Sequence, residues 1–395
     1  MTRFERHPVV TLIAILVVLL VAFLATAEWL LRPADGRTVL IGHESSPRPD
    51  RFLKLREWQP DSRFTFGPAE TRVQNATDEI PEVYVLETDG AGFIEPSVVH
   101  PDPDAEIIFV GGSTTECLYV MPENRFPYVA GRLLEDRLGL KVNGINAGKS
   151  GNSTMLSLLA TVGKVLPRRP DFVVLMHATN DIGVLNRYGS YWNESSDHAL
   201  VGRREQSLER LFRDFRDATV PYSYRGLRRG LKALSSAGPL VGSAAAAVDA
   251  TTAAAAPETG DDKRARMGAD FESALRSLVA VVRAWHSEPV LMTQVVVRAK
   301  PEARAAEGAY LSRDALAAGR FTPESFSSTH AYFNAIIRQV ALSEGVPLID
   351  LAAARDWSDV DVYDGLHFTD PGSRNVAEVV AAALAPLLEA RSAQP

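Results

Sequence analysis

The sequence predicts an α/β fold built on a five-stranded parallel sheet with helices on both faces. Three observations predict it. Short apolar, β-branched runs recur along the chain, and segments with helical spacing of their apolar positions separate them. The runs also lack the polar alternation of a sheet that faces water on one side.

Taken in order, Glu106 to Val110 (EIIFV) reads as the first strand, Phe126 to Leu138 as a helix and Val142 to Asn146 as the second strand. Thr154 to Leu166 follows as a helix, and Phe172 to Met176 (FVVLM) as a buried third strand. After a long interruption, Phe271 to Trp285 sets Leu275, Leu278, Val279 and Val282 on one helical face, and Val290 to Val297 reads as the fourth strand. Ala331 to Leu342 is the next helix and Pro347 to Leu351 the fifth strand. A last helix from Pro371 aligns Val376, Val379, Val380 and Leu384.

The interruption, about 184–265, reads as an insertion into a domain spanning 105–390. Its Ala-rich middle, 235–262, is low in complexity, has few large side chains to bury and is expected to be mobile. Residues 32–104 are rich in Pro and charge and read as a stalk with a small β element. Within it, Val83 to Leu86 and Gly92 to Ile94 flank Thr88-Asp89-Gly90 as a β-hairpin.

The N-terminus points to a membrane. Val9 to Ala27 carries no charge and no Pro, and at about 1.5 Å per residue it nearly matches a bilayer core of about 30 Å. Residues 1–7 would then be a short cytoplasmic tail and 8–31 a transmembrane anchor. Ala25-Thr26-Ala27 also has the small-x-small form of a signal-peptide cleavage site. Apolar character resumes at Trp29, Leu30 and Leu31 before Arg32-Pro33, which favours an uncleaved anchor. With no second span to return the chain, the large C-terminal part is expected outside the cytoplasm, as a single-pass protein whose partner is the lipid bilayer.

Composition excludes other classes. There are 49 acidic against 42 basic residues and a net charge of -7, whereas a nucleic-acid binder needs a basic face to neutralise phosphates. Cys117 is the single cysteine, so no internal disulfide forms, and no Cys/His set has zinc spacing. It reads as a small buried residue. Asp359 and Asp361 read as a solvated turn. No metal or cofactor is expected. The sequons at Asn75, Asn152 and Asn193 read as accidental, since a glycan at Asn152 would obstruct the loop described next.

In a doubly wound sheet, ligands collect at the carboxyl ends of the strands. Three consecutive strand ends carry reactive residues: Gly111-Gly112-Ser113-Thr114, then Asn146-Ala147-Gly148-Lys149-Ser150-Gly151-Asn152, then His177-Ala178-Thr179-Asn180-Asp181. Asp364-Gly365-Leu366-His367 follows the last strand. GGST, SGN, ATND and DGLH, in this order and each after an expected strand, resemble the blocks of the SGNH (GDSL-like) serine hydrolases. The resemblance covers about 105–390 and implies a three-layer, flavodoxin-like fold.

The resemblance also implies roles. Ser113 would attack an ester carbonyl, His367 would take its proton, and Asp364 would orient the imidazole. The backbone N–H groups of Ser113 and Gly151 and the Asn180 amide would receive the oxyanion. Two positions depart from the family pattern. Gly112 stands where many members carry Asp, and Ala178 stands where they usually carry Gly, which would narrow the acyl site slightly. His177 reads as a packing residue rather than a substrate contact.

The expected function is therefore a membrane-anchored serine esterase acting on an ester, an acylated glycan or a lipid, with O-acyl groups on a cell-surface glycan favoured. One alternative passes the acyl group to a sugar hydroxyl as an O-acyltransferase. Another is a glycan-binding or assembly protein that keeps the fold without turnover.

Overall fold

The computed structural model describes residues 50–68, 80–195, 197–204, 260–297 and 323–392, with Val73 and a few positions between 12 and 22. Its elements, in chain order, are β1 (Asp50–Leu53), β2 (Arg63–Phe66), β3 (Tyr84–Glu87), β4 (Ala105–Gly111), α1 (Ser113–Glu116), α2 (Phe126–Leu138), β5 (Val142–Asn146), α3 (Thr154–Ala160), β6 (Phe172–Met176), α4 (Thr179–Tyr188), β7 (Val201–Arg204), α5 (Gly260–Ala284), β8 (Glu288–Met292), α6 (Pro323–Glu344), β9 (Leu348–Ile349) and α7 (Asp370–Ser392). The chain divides into two compact units, 1–52 with 202–253 and 53–201 with 254–395. Of the first, the described part is a helical stretch near the N-terminus and most of β1 and β7, which pair as a two-stranded sheet.

The second unit holds a parallel five-stranded sheet of order β5-β4-β6-β8-β9. Ile107 lies opposite Phe172, Phe109 opposite Asn146, Met176 opposite Met292, and Leu291 opposite Leu348. Both faces are buried, because successive side chains of a strand point to opposite sides. Ile108 and Val110 of β4 pack into one core with Leu156, Ile182, Phe271, Leu278 and Phe333 from α3 to α6. Ile107 and Phe109 pack into the other with Phe126, Leu134, Val376, Val380 and Leu384 from α2 and α7. That two-sided burial is the reason β4 and β6 read as largely apolar runs.

Several boundaries differ from expectation. The strand expected over 290–297 ends at Met292: after a last bond from Thr293 N–H to Ile349 O, Gln294 turns both its backbone N–H and its carbonyl to the Asn334 side chain. The strand expected over 347–351 reduces to Leu348–Ile349 and gives way to a 3-10 turn, Leu351–Ala353. The helix expected from Thr154 to Leu166 widens after Ala160 into one π turn, Thr161–Val165, before a 3-10 turn at Leu166–Arg168. α5 begins at Gly260, with Asp261 and Asp262 in its first turn, where acidic groups complement the helix dipole. The end of the segment expected to be low in complexity is thus helical, while positions 235–259 lie outside the described residues.

The expected hairpin is only partly formed. Asp89 and Phe93 close the turn, and Thr88 bridges Ile94. The strand Tyr84–Glu87, however, pairs along its length with Arg63–Phe66, while the Ile94 N–H donates to Asn146 O on the main sheet. Arg125, almost wholly buried, donates to Val85 O and Glu95 O and clips this β element to α2. Those carbonyls need donors where water is excluded, and a guanidinium supplies several at once.

Of the helix expected at 8–31, positions 12, 13, 15–19 and 22 are described; they are helical and exposed. Among the described residues no helix is long and apolar enough to cross a membrane, and the rest of that segment lies outside them.

Candidate active site

The order β5-β4-β6 reverses the direction in which the sheet is built, and the crevice between β4 and β6 opens where it does. Ser113 follows β4 after Gly111 and Gly112, at the start of the short turn α1, and Cys117 ends that turn with φ 54°. Asn180 follows β6 near the start of α4. Gly112 has no room for a side chain. A Cβ built there would lie 2.2 Å from the Asn180 amide nitrogen, so a larger residue at 112 must displace Asn180. This gives the first departure from the family pattern a physical reason.

His367 and Asp364 come from a tight loop between β9 and α7. Val362 bridges Phe368, the Tyr363 N–H donates to His367 O, and the Val297 N–H donates to Gly365 O. His367 Nε2 lies 2.7 Å from Ser113 Oγ. On its other side, His367 Nδ1 lies 3.0 Å and 3.2 Å from the two carboxylate oxygens of Asp364. A carboxylate can only accept, so Nδ1 carries a proton, and in the neutral imidazole Nε2 is then the acceptor to which the serine hydroxyl donates. Asp364 also accepts the backbone N–H groups of Leu366 and His367. Burial by itself would raise its pKa, but the His367 ring and these N–H bonds outweigh burial and hold the carboxyl below its usual range. Asp364 is not a helix cap, since Thr369 takes that place, its hydroxyl accepting from Gly372 N.

The loop after β5 brings up the remaining residues. Gly151 sits at φ +78°, a left-handed conformation that costs a residue with a Cβ. The Asn180 amide donates one N–H to Asn152 O at 3.0 Å, and its second N–H remains for a ligand. Ser113 N stands at the start of α1 with no side-chain cap. The structure therefore brings together Ser113, Asn180, Asp364 and His367, and joins Gly151 to them through the neighbouring Asn152. Asn152 is buried, its amide donating to Arg56 O, so the sequon there is closed by packing.

Sequence reasoning missed what supports this loop. Glu116, fully buried, accepts from Trp58 Nε1 at 2.9 Å and from the Ser150 hydroxyl. Lys149 Nζ lies 4.0 Å from Glu116 and 3.1 Å from the centre of the Trp58 ring. Burial is the main cause pulling its pKa down to about 8, against the Glu116 charge. The Arg56 guanidinium fills the space over Gly151. Arg56 and Trp58 belong to the stretch read as a stalk, and the Pro- and charge-rich composition there gave no sign of them. Glu116, three residues beyond Ser113 in an otherwise small and polar turn, was the available signal.

Other expectations resolve individually. Ala178 packs in the core beside α4 and does not line the cavity beside Ser113, so it does not narrow that site. That cavity, about 50 Å³, is bounded by Ser113, Cys117, Tyr119, Ser150, Tyr363 and His367, among others. His177 is buried, and desolvation lowers its pKa to about 3. Cys117 is buried, and burial pushes its thiol up to about 12. Asp361 is not in a solvated turn: it is buried and accepts from Ser358 and Asn375. Among the described residues no group of His, Cys, Asp and Glu is arranged to hold a metal.

Residues 109–374, more than half of the chain and containing all five predicted site residues, match the GDSL-like lipase/acylhydrolase family. The chain belongs to that family. It is accordingly a GDSL-type serine esterase, a hydrolase acting on ester bonds. Among solved structures, this esterase is similar to the acetylxylan esterase Axe2 from Geobacillus stearothermophilus, at 15% identity over 72% of this chain and 94% of that one, with a TM-score of 0.39. It is also similar to a lipolytic protein of the G-D-S-L family from Desulfitobacterium hafniense, at 11% identity over 71% and 100% of the two chains, with a TM-score of 0.38. No curated protein matches its sequence.

Two predictions arise from this GDSL-type site. Asn180→Ala should lower kcat by about 100- to 1,000-fold, the usual cost of one oxyanion donor, with the melting temperature little changed. Steady-state kinetics beside a thermal melt check it, and an unaltered kcat would remove Asn180 from the site. The second concerns Asp181, fully buried, whose one oxygen accepts from Thr154 N and the Tyr191 hydroxyl. Burial raises its pKa from 3.8 to about 6. Between those values the folded chain binds more protons than the unfolded chain, so stability falls as pH rises from 3.8 to 6 and stays reduced above. Asp181→Asn keeps the accepting oxygen and removes the charge. It should raise stability at pH 8 and lose that advantage by pH 4, as denaturant titration at the two pH values would show.

Proposed function

We propose that this esterase is held by its N-terminal segment in a membrane, faces away from the cytoplasm, and removes short O-acyl groups, acetyl first among them, from a cell-surface glycan through an acyl-enzyme. The observation that carries the reading is the continuous line Asp364–His367–Ser113, with 3.0 Å and 2.7 Å contacts. Ser113 Oγ attacks the ester carbonyl and its proton passes to His367 Nε2. The imidazolium that forms is stabilised by Asp364. The oxyanion meets the N–H groups of Ser113 and Gly151 and the second N–H of Asn180. When the tetrahedral intermediate collapses, the C–O bond to the alcohol breaks and the alkoxide takes the proton from His367. Water, deprotonated by His367, then releases the acyl group as a carboxylic acid and restores Ser113.

The cavity of about 50 Å³ bordering Ser113 and His367 supports a short acyl group, since it has room for only a few water-sized groups. The uncharged run from Val9 to Ala27 supports the anchor, and an exported enzyme meets acylated surface glycans.

The test is labelling of the full chain in detergent with a fluorophosphonate, followed by acetyl, butyryl and long-chain esters and an acetylated glycan. Wild type should label, Ser113→Ala and His367→Ala should not, and acetyl esters should turn over fastest. A folded wild type that resists the probe would overturn the acyl-enzyme, and a preference for long chains would overturn the short acyl group. Acyl transfer to a sugar hydroxyl with little net hydrolysis would replace water by an acceptor in the last step.

A further inference from the structure

We infer that Gln294 is a positioning residue that sets the distance between the nucleophile turn and the oxyanion amide, by spanning Thr114 and Thr179 with a single side-chain amide. The inference rests on the roles proposed above for Ser113 and Asn180. Gln294 stands just past the end of β8, 4% exposed. Its Oε1 accepts from both Thr179 N and Thr179 Oγ1 at 2.9 Å. A backbone N–H can only donate, so the amide orientation is settled, and Nε2 faces Thr114 Oγ1 at 2.8 Å. Thr114 follows Ser113 and Thr179 precedes Asn180.

Gln294 is itself held on both sides of its backbone. Its N–H donates to Asn334 Oδ1 at 3.0 Å and its carbonyl accepts from Asn334 Nδ2 at 2.8 Å. His330 Nε2 lies 3.4 Å from Gln294 Oε1. Thr114, His330 and Asn334 are all buried, so a lost partner is not replaced by water. The planar amide works as a spacer of fixed length between α1 and α4. Where a Cβ on Gly112 would already lie 2.2 Å from the Asn180 nitrogen, a small shift of either element moves that donor relative to Ser113.

The test compares Gln294→Met, which keeps length and loses hydrogen bonding, with Thr114→Val, which removes the same bond from its other end. Each is made alone and with Asn180→Ala, and kcat, KM and thermal unfolding are measured with p-nitrophenyl acetate. Each single variant should lower kcat by about 10- to 100-fold, the scale of a slight misplacement of reacting groups, with KM changed less than about threefold. In the Asn180→Ala background the loss should shrink at least about fivefold, because the two residues act on one donor. Equal losses in both backgrounds, or a full kcat in folded Gln294→Met and Thr114→Val, would overturn the inference. If Ser113→Ala kept full activity, the site reading itself would fail and this inference with it. An inactive Ser113→Ala beside fully active Gln294 and Thr114 variants would overturn this inference alone.

Discussion

Ser113→Ala should lower kcat on an acetyl ester by about five to six orders of magnitude, and His367→Ala should do nearly the same. The serine hydroxyl is a poor nucleophile at neutral pH, and in the proposed mechanism His367 Nε2, at 2.7 Å, is the base that makes it attack. Because the two groups act as one unit, the double variant should be hardly worse than either single one. The folded state should barely notice. A lone hydroxyl bond is worth about 1 kcal/mol, so the melting temperature of Ser113→Ala should stay close to that of wild type. Activity within tenfold of wild type in a folded Ser113→Ala protein would place the chemistry elsewhere.

Asp364→Asn should cost about 10,000-fold in kcat while preserving the shape of the loop. Two backbone N–H groups, from Leu366 and His367, point at one carboxylate oxygen, so the asparagine would turn its carbonyl oxygen to them and its NH2 toward His367 Nδ1. The imidazole must then accept at Nδ1 and carry its proton on Nε2, where it can no longer take one from Ser113. Folded-state interactions hold Asp364 below its usual carboxylate range. The stability it contributes is therefore full above its unfolded pKa of about 4 and is lost as pH falls through the lower folded value. Unfolding curves of wild type and Asp364→Asn should converge as pH drops below about 4, and curves that stayed equally separated down to pH 2 would contradict this linkage.

Much of the sheet was legible because it is buried on both faces. β4 and β6 lie where apolar runs place them, and β5 where Val142 and Ile145 do, within a residue or two at each end. β8 and β9 were overextended, since the apolar runs 290–297 and 347–351 continue past the point where the ladder stops. What stops it is Gln294, whose backbone N–H and carbonyl both turn to the Asn334 side chain, and no local pattern announces a partner that lies 40 positions away. The hairpin near Thr88 was misjudged for a related reason: its strand found a better partner at 63–66 in a stretch without sustained periodicity.

The candidate site divides in the same way. Ser113, Gly151 and Asn180 were legible because each sits in a short block just after a strand, and a strand end in a parallel sheet has a known destination, whereas Asp364 and His367 lie well beyond the end of β9 and were legible from the DGLH block alone. Asp364 and His367 are three residues apart, so the loop that carries them sets most of their geometry. Trp58 against Glu116, Arg56 over Gly151 and Gln294 between Thr114 and Thr179 became visible only after folding.

The sequence by itself determined which side chains follow the strands, because apolar runs decide where buried strands lie and a parallel sheet aligns their carboxyl ends on one edge. Only the tertiary structure decided how far apart those side chains stand and what holds them there. Such distances are set by contacts among buried polar groups from remote segments, each satisfied by a partner that local sequence does not specify.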